Sequence, residues 1–222
     1  MMKVNNKGQA QLFKNKYIEM LTKTHPLVIW GLYTPIIGYM LYYSKTTLLF
    51  SGLSIIILFI LSMFSWTLFE YLAHRYVFHW VSKKNFLKKI TYTLHGNHHE
   101  YPRDRQRLFM PPLPSIIISS IIFTVFYLIA GNYAFIWFPG FILGYLMYAS
   151  MHYAIHAFPP PFKWMKPLWR SHRLHHYKDE EKGFGVSSLL WDWIFNTRFD
   201  LKKEKEDKEK VKELLFDNNK YQ

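Results

Sequence analysis

Four stretches of the chain are apolar and almost free of charge. They run from Leu27 to Tyr43, from Thr47 to about Phe69, from Leu113 to Ala130 and from Tyr133 to about Met151. Their lengths bracket the roughly 20 apolar residues that a helix needs to cross a hydrocarbon core about 30 Å thick. The first is short and would recruit its flanks. Only Ser44-Lys45-Thr46 separates the first pair and Gly131-Asn132 the second, so each pair predicts a helical hairpin with nothing sizeable beyond it. The pattern therefore predicts an all-α integral membrane chain of four spans in two hairpins, flanked by residues 1–26 and by a charged tail at 198–222. Within that tail, the charge run at 200–217 reads as a solvated helix or a frayed end.

Charge decides the orientation. The 222 residues carry a formal net charge of +13. Residues 1–26 hold five Lys against one Glu, and residues 74–114 hold eight Lys or Arg against Glu100 and Asp104. The two short links hold Lys45 alone. By the positive-inside rule, both termini and the long connection lie in the cytosol. Basic residues that flank apolar spans and form no stripe argue for a membrane and against nucleic acid. The chain has no Cys, which excludes disulfides and thiolate metal sites. Residues 1–20 lack the apolar run of a secretory signal. Trp30, Tyr42, Tyr43, Trp66, Tyr71, Trp137 and Tyr148 lie toward span ends, as membrane anchors or as bulky packing residues.

The histidines carry the chemistry. Ten of the eleven fall into four groups, each at the edge of an apolar stretch. They are His74 and His79; His95, His98 and His99; His152 and His156; and His172, His175 and His176. Positions i, i+3 and i+4 share a helical face, so the second, third and fourth groups can each converge. His74 and His79 converge if the helix loosens between them. The topology, obtained without the histidines, puts all four groups at the cytosolic face. His25, followed by Pro26 at the start of the first span, reads as an interface residue rather than a ligand.

Imidazole suits iron, copper and zinc. Ten are too many for one ion and give five to each of two, with a position left for water or O2. That stoichiometry fits iron better than zinc, which is satisfied by four ligands. The carboxylate-rich ligand set of soluble di-iron bundles is missing. Metal-bound imidazoles commonly donate their second N–H to a carboxylate or carbonyl, and Glu70, Asp104, Asp179 and Asp192 are placed for this role or for ordinary ion pairs. A metal transporter would need histidines inside its spans, whereas these lie past the span ends.

Three stretches resemble the membrane fatty acid hydroxylase superfamily, which also holds sterol desaturases and carotenoid hydroxylases. They are EYLAHRYVFH (70–79), LHGNHHEYPRDRQRLFMPP (94–112) and SHRLHHYKDEEKGFGVSSLLWDWIFNT (171–197). They are most similar to the fatty acid 2-hydroxylase branch, which acts on sphingolipid acyl chains. The resemblance spans about residues 60–197 and implies that the ten grouped histidines bind two metal ions, iron in the working enzyme and zinc as a possible occupant after purification. It further implies an integral membrane four-helix bundle with a cytosolic helical cap that holds the dimetal site, and O2-dependent hydroxylation at C2 of a long acyl chain, carried by a free fatty acid or a ceramide. Gly183-Phe184-Gly185 with Leu189, Leu190, Trp191 and Trp193 are candidates for an acyl-chain wall or for membrane anchoring. Arg103, Arg105 and Arg107 are candidates for contacts to the acyl headgroup or for plain positive-inside residues.

Two departures qualify the likeness. Where fused haem domains of the family carry His-Pro-Gly-Gly, His25-Pro26 continues here as Leu27-Val28. Electrons from NAD(P)H are therefore expected through a separate b-type cytochrome or ferredoxin-like protein. The Tyr-Asp pair common before the third histidine group in eukaryotic members is Tyr148-Ala149 here. The expected membrane is the cytoplasmic one in a bacterium or the endoplasmic reticulum in a eukaryote.

Overall fold

The computed structural model describes residues 4–206 together with residues 209 and 212, and among these it contains helices and connections but no strand. The helices are α1 (Lys16–Met20), α2 (Pro26–Thr46), α3 (Gly52–Ala73), α4 (Asn85–Thr91), α5 (Asn97–Glu100), α6 (Pro112–Ala130), α7 (Ala134–Ala157), α8 (Lys166–Tyr177) and α9 (Leu190–Ile194). Two stretches, Gly52–Phe78 and Arg105–Ala157, are long and apolar enough to cross a membrane. The second holds both α6 and α7, and α2 lies outside both.

The first turn falls later than the charge pattern predicts. α2 continues through Ser44-Lys45-Thr46, and the chain reverses over residues 47–51, where Leu49 takes φ 57°. Lys45 marks the last turn of the helix, where a cation is favoured by the helix dipole, rather than the link itself. Ser51 then caps α3, its Oγ accepting from Ser54 N at 3.0 Å. The second turn lies where expected. Gly131, with φ 55° and ψ −132°, adopts a conformation that a side chain would disfavour. At the start of α2, His25 serves as the cap, with Nδ1 accepting from Leu27 N at 3.2 Å.

α7 is buried along most of its length, and α2, α3 and α6 all pack on it. α3 meets α7 far more extensively than it meets α2, so the first pair is a hairpin in connectivity more than in packing. α2 runs antiparallel to α7: Tyr43 meets Phe135 at 5.2 Å, and Trp30 Nε1 donates to Ser150 Oγ at 3.0 Å. α6 is antiparallel as well, with Tyr127 beside Phe135 and Phe123 beside Phe138.

α3 runs parallel to α7, and the contact is close because α7 offers glycine there. A Cβ on Gly140 would collide with Ser62 Oγ and Phe59 O, and one on Gly144 would lie 2.5 Å from Trp66 Cβ. The small-xxx-small spacing of Gly140 and Gly144 permits such backbone approach. Two further turns of this register bring Glu70 level with Tyr148 and His74 level with His152. Trp66, one of the expected interfacial aromatics, is buried in this packing, Tyr71 is buried against Phe184, Phe195 and Thr197, and Tyr42 is exposed.

The flanking segments fold back over the histidine end. Asn5 N donates to Glu100 O at 2.7 Å and Tyr177 Oη to Asn6 Oδ1 at 2.7 Å. Arg107 is buried between Asp104 and Glu19, which ties α1 to the connection before α6. After α9, Arg173 Nε pairs with Glu206 Oε1 at 2.8 Å and Lys178 with Glu204. The start of the charge run thus lies on α8 rather than in solvent. Residues 207–208, 210–211 and 213–222 of the expected tail lie outside the described residues.

The α3–α7 contact yields a paired prediction. Gly140→Ala should lower the thermal stability of the detergent-solubilised protein, by about 1–3 kcal/mol as overpacking does. Gly38→Ala on α2, where no atom lies within 4 Å, should be neutral or stabilising. Equal melting temperatures for the two variants would contradict the close contact.

Candidate metal centre

Local helix geometry aims each group of histidines. In a regular α-helix, residues five apart point about 140° from each other. Beyond α3 the helix widens into a π turn, His74–Phe78, in which His79 N donates to His74 O at 3.3 Å. The wider turn lets both imidazoles face the same side, as the spacing required. A second π turn, Tyr92–Gly96, precedes α5 and carries His95. Asn97 Nδ2 secures it by donating to Tyr92 O at 3.0 Å and Thr93 O at 2.8 Å. His152 and His156 lie on the last turns of α7, and His172, His175 and His176 lie along one face of α8. An apolar cluster of Ile155, Met165, Leu168, Trp169 and Val186 seats α8 against the end of α7.

The ten histidines close into two sets of five. One comprises His74, His79, His95, His99 and His175; the other comprises His98, His152, His156, His172 and His176. Within each set, one ring nitrogen per residue lies within 4.8 Å of all the others. In the first, His95 Nε2 lies 3.0 Å from both His74 Nε2 and His99 Nε2, and His79 Nε2 lies 3.1 Å from His175 Nε2. In the second, His172 Nε2 lies 2.9 Å from His156 Nε2 and 3.1 Å from His176 Nε2.

Hydrogen bonding alone accounts poorly for these contacts. One N–H can bridge two nitrogens, but His95 Nε2 and His172 Nε2 each face two neighbours. His98 Nε2 and His152 Nε2 are buried without any hydrogen-bond partner. A common cation accounts for all of it. Two nitrogens each about 2.1 Å from one ion and at right angles lie about 3.0 Å apart. Burial, reinforced by the neighbouring imidazoles, holds His95, His98, His99, His172, His175 and His176 well below the usual histidine pKa. His79, less enclosed, is lowered by burial to about 4. These rings are neutral at pH 7, and a neutral ring has a lone pair to offer a metal.

The outer partners differ from the sequence expectation. The N–H groups of two rings meet backbone carbonyls rather than carboxylates: His74 Nδ1 donates to Phe184 O at 2.6 Å and His175 Nδ1 to Lys182 O at 2.7 Å. A carbonyl can only accept, so these bonds leave Nε2 of each ring as the unprotonated nitrogen facing the set. Glu70 and Asp192 act one layer further out. Glu70 Oε1 accepts from Val186 N at 2.7 Å and Ser187 N at 2.8 Å, and Oε2 accepts from Ser187 Oγ. Asp192 Oδ1 accepts from Phe184 N at 3.0 Å and Thr197 Oγ1 at 2.7 Å, and Oδ2 accepts from Gly185 N at 2.8 Å.

Asp104 instead pairs with Arg107, and Asp179 Oδ2 lies 3.2 Å from Lys182 Nζ. Both are near the histidines in sequence but are engaged by nearby cations. The glycines of the 182–187 loop pack closely against their surroundings. Gly183 has φ 69°, and a Cβ there would meet the Phe199 ring at 2.7 Å; one on Gly185 would meet Ser188 O and Asp192 Oδ2. Phe184 between them is buried, its ring centroid 5.6–5.7 Å from those of His74, His79 and His175. Ser187 and Thr197, which complete the carboxylate contacts, escaped the sequence reading because a lone hydroxyl residue gives no pattern. Ala149 is buried in the apolar core.

Comparison with known proteins gives the family. Residues 58–197 match the family model for fatty acid hydroxylase. The chain is 37% identical over 196 residues to the ceramide very long chain fatty acid hydroxylase of Saccharomyces cerevisiae, covering 86% of this chain and 50% of that protein. It is 33% identical over 189 residues to a dihydroceramide fatty acyl 2-hydroxylase of Arabidopsis thaliana, covering 84% and 79%. To the fatty acid 2-hydroxylase of Homo sapiens it is 36% identical over 148 residues, covering 63% and 39%. The chain thus spans half the length of the yeast relative. The solved structure of full-length scs7p, in which only the hydroxylase domain is visible, matches with a TM-score of 0.81 at 34% identity, covering 90% of this chain and 76% of that one. Motif, fold and overall sequence lead to one assignment: the chain belongs to the fatty acid hydroxylase family.

Proposed function

We propose that this chain is a membrane-embedded monooxygenase that hydroxylates a long-chain fatty acyl group at C2, as a free fatty acid or within a ceramide. The observation that carries this reading is the pair of five-imidazole sets at one end of apolar helices, in a chain of this family. The position and substrate follow from the names of its relatives, fatty acid 2-hydroxylases and ceramide hydroxylases.

His74, His79, His95, His99 and His175 would hold one metal ion, and His98, His152, His156, His172 and His176 the other, with iron as the metal. Such a pair supplies O2 activation, so that an acyl C–H, O2, two electrons and two protons become C–OH and water. Converting the acyl C–H to C–OH oxidises the carbon by two electrons, which no side-chain acid or base can do, and that is why an oxidant is required. The electrons would come from NAD(P)H through a separate b-type cytochrome or ferredoxin-like donor.

The protein's own groups supply position. The π turns aim His74, His79 and His95. The carbonyls of Lys182 and Phe184 fix the protonated nitrogen of His175 and His74. Buried apolar residues, Phe184 among them, keep water from the reacting carbon. In this reading, residues 27–197 form the membrane hydroxylase domain, with residues 1–26 and 198–222 as its flanks. α2, α3, α6 and α7 are four spans of the cytoplasmic membrane or the endoplasmic reticulum. α4, α5, α8 and α9 make a cytosolic cap, and both termini are cytosolic. The basic connections at that end support this orientation.

Expression in a host lacking 2-hydroxylated lipids should yield 2-hydroxy acyl chains by mass spectrometry of the lipid extract. Altered sterols or carotenoids with no 2-hydroxy acids would contradict the substrate. His98→Ala and His175→Ala, one from each set, should each abolish that product while the protein still accumulates in membranes. Normal product from either variant would contradict the two-set site.

A further inference from the structure

We propose that the two histidine sets hold their ions with unequal strength, and that Glu70 and Asp192 create the difference through the 182–187 loop. This rests on the reading of both sets as metal sites. The hydrogen bonds around the two sets are not alike. In the set containing His74 and His175, both of these rings donate Nδ1–H to carbonyls of one loop, at 2.6 and 2.7 Å. In the other set, the Nδ1 atoms of His156, His172 and His176 are buried and meet no hydrogen-bond acceptor.

An outer hydrogen bond fixes the tautomer and orientation of a ligating imidazole and raises its basicity, and losing one typically weakens metal binding about 10–100-fold. The first set has two such bonds, supplied by a loop that is itself anchored. Four backbone N–H groups of that loop, those of Phe184, Gly185, Val186 and Ser187, are held by the two buried carboxylates of Glu70 and Asp192. Neither carboxylate is placed against an imidazole, so both act as positioning residues, and the two loop carbonyls bond rings of the first set. Buried carboxylates cost desolvation energy. Holding this loop gives these two a function that their sequence position did not disclose.

The test is release of metal from the loaded, detergent-solubilised protein after addition of an excess of chelator, with ions retained per chain counted over time. Wild type should lose one ion quickly and the second slowly. Asp192→Asn leaves a backbone N–H of the loop without an acceptor, and Ser187→Ala removes one hydroxyl from the Glu70 carboxylate and leaves the rest of the loop in place. Each should accelerate the slow phase, Asp192→Asn about tenfold or more, and leave the fast phase unchanged. Should Asp192→Asn fail to fold, Ser187→Ala alone decides. Release of both wild-type ions in one phase, acceleration of both phases by the same factor, or no acceleration of the slow phase would overturn the inference. Fewer than two ions in the wild-type protein would overturn the metal reading itself, so the two failures are distinguishable.

Discussion

Ten neutral imidazoles are turned inward into two small volumes screened from water, and the rest of the fold is arranged to tolerate that. A buried polar nitrogen with no partner costs about 1–3 kcal/mol, and a whole domain is stable by only about 5–15 kcal/mol. Among the described residues, His98 Nε2 and His152 Nε2 are two such nitrogens of the second set, and the outer Nδ1 atoms of His156, His172 and His176 are three more. Cations sharing the inward lone pairs would satisfy the first two and draw the crowded Nε2 atoms together, and their binding would add to folding free energy.

Several features serve that geometry at a distance. Gly140 and Gly144 let α3 and α7 touch through their backbones, and the parallel register set there carries His74 to the level of His152. Two π turns correct spacings that a regular helix would misdirect. The apolar cluster around Trp169 brings α8 and its three histidines onto the end of α7. Segments before α2 and after α9 then fold back over this end, tied by Asn6 to Tyr177, by Glu19 to Arg107 and by Glu206 to Arg173. The site is thus assembled from elements far apart in sequence but fastened at several independent points.

Much of this was legible in the sequence. The apolar stretches located α3, α6 and α7 to within a few residues at most ends, and i, i+4 spacing marked the inward faces of α7 and α8. The anomalous spacing of His74 and His79 even announced a loosened helix. What escaped had physical reasons. Lys45 resembles a loop residue because helix C-termini welcome cations, and it draws the predicted turn ahead of the real one. Leu48, Leu49 and Phe50 in the turn itself are apolar and continue the hydrophobic pattern, so that only Ser51-Gly52 marks the break. The Gly140-Gly144 spacing is visible in the sequence, but which helix it admits is set by tertiary packing. The outer partners were beyond reach, because backbone carbonyls at Lys182 and Phe184 leave no trace in composition. How the ten histidines divide into two sets is a matter of tertiary geometry that spacing alone leaves open: His98 and His99 are adjacent in sequence and belong to different sets.

Crystals of the protein purified without added chelator, with data collected at the absorption edge of the bound metal, test the central claim most directly. The account predicts two anomalous scattering peaks per chain, one enclosed by His74, His79, His95, His99 and His175 and the other by His98, His152, His156, His172 and His176. A single peak shared by both sets, or metal bound only elsewhere on the chain, would contradict it.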